Sequence, residues 1–336
     1  MPAVSLDPAA LAPRSEAALA SRHPGCAVTE VEQIIGGSSS LTFTAIVRSS
    51  NLVEQKVVIK VAPPGLEPTR NRDVLRQVPV LSLLGGVNGI AVPEVLGSDG
   101  GAPPDVPPFY VMAFAEGESH EPLLSPTPSD ATPAEVRSRA FAAAGMAARL
   151  HAVDATAGAL DGEPVIDLHA EVDRWARAFR TVDEQLRTGA ESVAARLLET
   201  VPASLDASIL HGDWRLGNML CRADAIRAVI DWEIWSLGDR RNDLAWFLLI
   251  TDERHPRRVR DDGHLPNRTE LIAAYEEASG RRVVDLEWFE ALVRFKHAAV
   301  AALITKNTRK LPQPGVDSRH TAAAVPALLN WAASLL

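Results

Sequence analysis

The sequence predicts an α+β fold of two lobes, a small β-rich lobe over residues 1–115 and a larger, mainly helical lobe over residues 116–336. Three observations carry this. Short apolar runs of strand-like composition, separated by Gly, Ser, Asn or Pro, fill the chain up to about residue 114. A segment rich in Pro, Ser and Glu runs from Glu116 to Thr132 and reads as a connector. Helical patterning dominates after it, with one β interruption at residues 208–231. A chain of 336 residues is long enough for two such lobes.

In the first lobe the strands are VTEVEQII, LTFTAIV, KVVIKV, VPEVLG and FYVMAF, and one helical stretch, around Arg70 to Leu84, interrupts them. The second lobe opens at Thr132-Pro133-Ala134-Glu135. That tetrad combines an N-cap, a proline at the first helical position and a capping-box glutamate. Helices are expected at roughly 134–153, 168–187, 190–200, 241–252, 269–279, 286–308 and 318–335. There is no internal repeat and no low-complexity tract.

The composition narrows the function classes. Apolar residues make up 46% and charged residues 23%, as in ordinary globular proteins. A net charge of −9 argues against a nucleic-acid partner, which calls for a basic face. The opening MPAVSLDPAALAPRSE has neither the basic nor the apolar region of a signal peptide. No apolar run approaches the roughly 20 residues of a membrane span. Cys26 and Cys221 are far apart and suggest neither a disulfide framework nor a metal cluster. A cytoplasmic protein without a membrane partner is expected. Only Lys56, Lys60, Lys296, Lys306 and Lys310 among the 34 basic residues are lysines.

One polar island stands out. ILHGDWRLGNML, residues 209–220, sets His211, Asp213, Arg215 and Asn218 between two apolar runs. The following residues, to Asp231-Trp232-Glu233, look like a hairpin turning between Asp224 and Ala225, which would set Asn218 opposite Asp231. An Asn and an Asp at a hairpin mouth are hard oxygen ligands of the kind Mg²⁺ takes along with phosphate and water, and Asp213 would remain free to accept a proton. Taken singly, each of these residues also fits a plain turn or a strand cap; their joint spacing favours the site. Gly36-Gly37-Ser38-Ser39-Ser40, between two strands, could close its backbone over phosphates, and a Gly-Gly hairpin turn explains it equally well. Lys60 ends VVIK in an apolar strand of a lysine-poor chain, so it needs an anionic partner unless it snorkels from an edge.

Together these pieces resemble the aminoglycoside phosphotransferase and choline-kinase-like family, whose fold is that of the protein kinases. The resemblance runs from about Ile34 to Leu249. It rests on His211-Gly212-Asp213 through Asn218, on Ile230-Asp231-Trp232-Glu233, and on Gly238-Asp239-Arg240-Arg241-Asn242-Asp243-Leu244-Ala245, where Arg240 replaces the family's proline. GGSSSLTF and HGDWRLGN look most like the subgroup associated with acyl-CoA dehydrogenases.

The resemblance implies roles. Asp213 accepts or orients the proton of the substrate hydroxyl, and Arg215 stabilises transferring charge near the γ-phosphate. Asn218 and Asp231 hold Mg²⁺, and Lys60 pairs with the α- and β-phosphates of ATP. Gly36, Gly37, Ser38 and Ser39 cover the phosphates. Phe109 to Gly117 is the hinge, with the Ala113 carbonyl and Ala115 N–H bonding adenine and Met112 behind it. His211 and Asp243 brace the catalytic loop. The family's helix glutamate, which pairs with the lysine, is replaced by Gln77, and Asp73 lies one helical turn earlier, so either could serve.

The expected function is therefore ATP- and Mg²⁺-dependent phosphorylation of a hydroxyl on a small molecule. The helix ALVRFKHAAVAALITKNTRK, residues 291–310, should help form the acceptor side. It carries Arg294, Lys296, Lys306, Arg309 and Lys310 and no acidic residue. The last three suit a helix C-terminus, which leaves Arg294 and Lys296 to suggest a neutral or anionic acceptor of hydroxyacyl type. An aminoglycoside acceptor is the alternative, and a catalytically inactive kinase fold that only binds is a further one. The absence of a long segment between Asp231 and Gly238 argues against a peptide acceptor.

Overall fold

A computed structural model describes residues 6–34, 40–50, 52–155, 158, 160–260, 264–308 and 317–336. Its first element is a helix absent from the sequence reading, α1 (Pro8–Leu19), capped by the Asp7 side chain, which accepts from the Ala9 N–H at 3.0 Å. Two prolines and a weak apolar contrast hide this helix from a periodicity test.

The five expected strands form one antiparallel sheet. They are β1 (Ala27–Ile34), β2 (Leu41–Ser49), β3 (Leu52–Val61), β4 (Val95–Asp99) and β5 (Phe109–Ala113), in the order β1-β2-β3-β5-β4. Side chains alternate between the two faces of a strand. Phe43, Val57, Ile59, Phe109 and Val111 lie on one face and are buried with Leu11 and Leu19 of α1. Lys60 and Tyr110, paired across β3 and β5, fall on the other face with Met112. Val57, Val58 and Ile59 of KVVIKV are consecutive apolar residues because both faces of β3 are covered there.

The stretch from Arg70 to Leu84 is not one helix. It makes two 3₁₀ turns, at 70–72 and 74–76, before α2 (Gln77–Leu84). Val80, Leu81 and Leu84 of α2 join Tyr110 in a core that runs on into the helical lobe. Arg76 links the lobes further. It forms an ion pair with Glu163, donates to the Trp235 carbonyl at 2.7 Å and lies 4.5 Å over the Trp235 ring.

The second lobe begins with α3 (Pro133–Leu150), and the predicted capping box is present, Thr132 and Glu135 each bonding the other's backbone N–H. The expected helix over 168–187 is two, α4 (Leu168–Phe179) and α5 (Glu184–Arg187). They are parted by a turn in which the Thr181 hydroxyl bonds the Ala178 carbonyl in place of helix. Then come α6 (Ala190–Glu199), β6 (Ser208–Leu210), β7 (Met219–Arg222), β8 (Ala225–Val229) and β9 (Ser236–Gly238). After them follow α7 (Arg241–Ile250), α8 (Arg268–Ser279), α9 (Leu286–Thr308) and α10 (Asp317–Leu335). Buried residues lie all around α9, so it is the central post of the lobe. Among the described residues no helix is long and apolar enough to cross a membrane. The fold is bilobal and α+β, as expected.

The β interruption is where the chemistry-bearing residues gather. β6 pairs with β9, and β7 pairs with β8, so the polar island lies between two small sheets. The hairpin register differs from the expectation by one residue. Arg222 pairs with Ala225 and a bulge follows, so Met219 faces Val229 and the Ile230 N–H bonds the Asn218 carbonyl at 2.9 Å. Asn218 thus stands opposite Ile230, and Asp231 steps out of the strand in the left-handed region at φ 68°. That conformation costs an Asp less than most residues, because its short polar side chain tolerates it.

Candidate active site

The loop over residues 211–218 is shaped by its backbone. Gly212 has φ 85°, and a Cβ there would sit 2.7 Å from the Ile234 carbonyl oxygen. Only glycine turns the chain here without strain. The turn aims the N–H groups of His211 and Gly212 at the Asp243 carboxylate on α7, at 2.7 and 2.9 Å. Burial would raise the Asp243 carboxyl, but His151, His211 and these donors hold it below the usual range. His211 bonds the Ile230 carbonyl through Nε2 at 2.9 Å and accepts from the Asp213 N–H at Nδ1. Both His211 and Asp243 therefore act as braces, the roles expected of them.

Asp213 receives three side-chain donors. Trp246 Nε1 donates to Oδ1 at 2.7 Å, while Arg215 Nε and Asn218 Nδ2 donate to Oδ2 at 2.9 and 2.8 Å. Burial alone would raise its pKa, yet the Arg215 charge and hydrogen bond, His211 and Asn218 outweigh it and keep the carboxyl below the ordinary range. The group is a carboxylate at neutral pH, able to take a proton or to orient a hydroxyl.

Asn218 is buried and directs its amide N–H groups to the carbonyl and the carboxylate of Asp213. Among the described residues no donor reaches its Oδ1, and no hydrogen bond or ion pair engages the Asp231 side chain. One amide oxygen and one carboxylate without donors make a donor set that suits Mg²⁺ with phosphate and water completing its shell. No cluster of three or more His, Cys, Asp or Glu forms a closed cage among the described residues.

In the first lobe, Lys60 makes no hydrogen bond or ion pair among the described residues. Neither expected partner reaches it. Gln77 is 2% exposed and its Oε1 accepts from the Tyr110 hydroxyl at 3.0 Å, whereas Asp73 caps a 3₁₀ turn through the Leu75 N–H. Burial, with the charges of Asp231 and Glu233, pushes the Tyr110 hydroxyl pKa up, so it stays a neutral donor. Met112 pairs with Val58 in the sheet and packs on the core that joins the lobes. The Ala113 N–H bonds the Glu94 carbonyl and the Phe114 N–H bonds the Lys56 carbonyl, so the chain leaves the sheet at Ala115. Gly36, Gly37, Ser38 and Ser39 lie outside the described residues.

The acceptor side departs from the sequence reading. Arg294 does not face the loop. It is 2% exposed, bonds the Glu290 carbonyl and stacks 3.8 Å over Trp331. Lys296, two residues on and so on another side of α9, does face it. Its Nζ is 3.5 Å from the Gly212 carbonyl oxygen and lies 5.1 and 5.8 Å over the rings of Trp246 and Trp175. The sequence reading counted Trp246 among five tryptophans of which one or two could line the acceptor pocket, without its bond to Asp213, and it missed Glu121. Trp246 lies three residues beyond Asp243 and on the same side of α7. Glu121, in the connector, approaches Arg215 at 3.5 Å, and no local pattern announces it.

Comparisons with known proteins bear on the family and the fold. Acyl-CoA dehydrogenase family member 11 of Homo sapiens is 26% identical over 271 residues, covering 74% of this chain and 33% of that protein. Acyl-CoA dehydrogenase family member 10 of Mus musculus is 25% identical over 228 residues, covering 66% of this chain and 20% of that protein. The chain thus spans a third or less of these relatives. Among solved structures, a protein of Ralstonia eutropha JMP134 ascribed to the aminoglycoside phosphotransferases superposes with a TM-score of 0.78 at 21% identity, covering 98% of each chain. Macrolide 2'-phosphotransferase MphH of Brachybacterium faecium gives 0.54 at 20% identity, covering 92% of this chain and 96% of its own. A ternary complex of aminoglycoside phosphotransferase APH(4)-Ia with ADP and hygromycin B gives 0.59 at 14%, covering 93% and 97%. At these identities the structures share the fold. The sequence profile of the phosphotransferase enzyme family matches residues 30–304, a span that holds Lys60, the catalytic loop, Asp231 and the Asp243 brace, and the chain belongs to that family.

Proposed function

We propose that the protein is an ATP- and Mg²⁺-dependent kinase for a hydroxyl group on a small molecule. Residues 1–115 form the nucleotide-binding lobe, and residues 116–336 form the catalytic and acceptor-binding lobe. The observation that carries this reading is Asp213, ionised and hydrogen-bonded to Asn218, whose own amide oxygen has no donor among the described residues. A fold retained only for binding has no need of this arrangement, which argues against the inactive alternative.

In the proposed reaction Asp213 orients the acceptor hydroxyl and takes its proton as the oxygen attacks the γ-phosphorus. The new O–P bond forms while the bond from the γ-phosphorus to the β,γ-bridging oxygen breaks, and ADP leaves with that electron pair. Mg²⁺, when bound, neutralises charge on the phosphates. Asn218 and Asp231 supply its protein oxygens, and Lys60 and Arg215 offer cations to the phosphate oxygens. Asp243 and His211 hold the loop still, so little rearrangement is needed at the moment of transfer.

The acceptor class follows from Lys296. Among the described residues it has no carboxylate partner, and it sits between two indole rings above the loop. A lysine there disfavours a polycationic aminoglycoside and suits a neutral or anionic acceptor with an apolar body, such as a hydroxyacyl compound. The test is a panel of hydroxy acids, hydroxyacyl thioesters and kanamycin-type amines at fixed MgATP, followed by ADP release. Turnover of the amines with none of the acids or thioesters rejects the acceptor class, and ADP release with no acceptor in a wide panel rejects the kinase.

A further inference from the structure

The connector carries a buried carboxylate with no part in the reaction described above. Glu121 is 4% exposed. Its Oε2 accepts from the Gly217 N–H at 2.9 Å and lies 3.5 Å from Arg215 Nη1, while Oε1 is buried with no partner among the described residues. The segment before it is tied down. Glu118 and Cys221 exchange N–H···O bonds at 2.8 and 2.9 Å, and the Ser119 hydroxyl donates to the Gly217 carbonyl.

Gly217 supplies a second, independent observation. A Cβ built there would come within 2.2 Å of Arg215 Nη1 and 3.1 Å of Glu121 Oε2. The guanidinium therefore rests against a bare Cα, with Asp213 on its Nε and Glu121 on its Nη1. Arginine carries about five N–H donors in a rigid fork. Asp213 takes Nε and Glu121 approaches Nη1, and the side chain is still 30% exposed.

We propose that Glu121 is a positioning residue for phosphoryl transfer: its carboxylate and the bare Cα of Gly217 together fix the Arg215 guanidinium so that its remaining N–H groups meet the γ-phosphate of the bound nucleotide. The inference rests on the ATP-dependent reading. A cation held by two carboxylates is already in place when charge develops and needs no reorganisation then. Burial pushes the Glu121 carboxyl up to about 7 against the pull of Arg215 and the Gly217 N–H, so at pH 8 it is ionised and faces its cation.

The experiment is calorimetric titration of the full chain at pH 8 with MgADP and with MgAMP-PNP, whose difference isolates the γ-phosphate. The proteins are wild type, Glu121→Gln, Gly217→Ala, Arg215→Ala and the Glu121→Gln/Arg215→Ala double variant. Gln keeps an oxygen for the Gly217 N–H and removes only the charge. Gly217→Ala keeps the Glu121 charge, drives the tip of Arg215 away and presses more lightly on Glu121 Oε2. Wild type should bind MgAMP-PNP more tightly than MgADP. Each single variant should lose about tenfold of that advantage with MgADP affinity nearly unchanged, and the double variant should be no worse than Arg215→Ala. Glu121→Gln with the full advantage, or a loss that adds to that of Arg215→Ala, overturns the proposal, as does equal binding of the two nucleotides by wild type. Wild type that binds neither nucleotide sinks the ATP-dependent reading, an outcome distinct from these.

Discussion

The indole N–H of Trp246 donates to Oδ1 of Asp213 at 2.7 Å, while Arg215 and Asn218 both donate to Oδ2. A carboxylate has about four lone-pair sites, so the one left over is on Oδ1, beside Trp246. On the proposed reading the acceptor hydroxyl meets the base there, on the Lys296 side. Trp246→Phe keeps an aromatic body and deletes the donor. Turnover should fall about tenfold, the scale of one charge-assisted hydrogen bond, with MgATP binding unchanged. A steady-state comparison that finds kcat intact would remove Trp246 from the machinery.

Asp213→Asn and Asp231→Asn should each abolish transfer while the fold persists, because positioning and charge neutralisation carry most of this chemistry. The two should differ in binding. Asp231→Asn weakens Mg²⁺-nucleotide affinity, and Asp213→Asn hardly changes it. Calorimetry on both variants separates the roles, and near-wild-type turnover in either ends that assignment.

Lys60→Ala should raise the KM for ATP or lower kcat. Gln77 bonds Tyr110 and not Lys60, so Gln77→Ala should act first on stability. Leaving the buried Tyr110 hydroxyl without its acceptor costs about 1–3 kcal/mol. Denaturant unfolding alongside nucleotide titration distinguishes the two effects. A Gln77→Ala protein of full stability and weakened nucleotide binding would restore Gln77 as the lysine's partner.

Lys296→Met should raise the KM for an anionic acceptor about tenfold and leave that for a neutral one alone. Equal effects on both would mean that the lysine supports the loop through the Gly212 carbonyl and does not read charge.

Glu121 makes stability pH-dependent with a definite sign. Its folded pKa, about 7, lies above the ordinary value of 4.5. Its contribution is then fully present below pH 4.5 and is lost as pH rises through about 7. A carboxyl raised that far loses stability on the order of 3 kcal/mol across this range. Glu121→Gln should therefore match wild type near pH 4.5 and be the more stable protein at pH 8. Parallel urea curves at the two pH values check this; a constant gap would show that the carboxyl is not perturbed.

Short-range information determined much of this protein. The alternation of LTFTAIV and the apolar centre of KVVIKV specify the sheet, because a strand must match its faces to what covers them. The Thr132–Glu135 cap is local chemistry, and so is the short spacing of His211, Asp213 and Asn218, so the cap and the polar loop were legible in the chain. Tertiary structure alone decided the rest. The turn centres one residue earlier than expected, and a bulge restores only part of the shift, which leaves Asp231 out of register with Asn218. The rotation of α9, set by packing against its neighbours, buried Arg294 against Trp331 and left Lys296 above the loop. Gln77 went to Tyr110 because that hydroxyl is buried beside it and needs an acceptor. Glu121 reached Arg215 from a distant part of the sequence because backbone bonds lay the connector along β7. Such pairings depend on which surfaces meet, and residues that are neighbours only through folding leave no pattern along the chain.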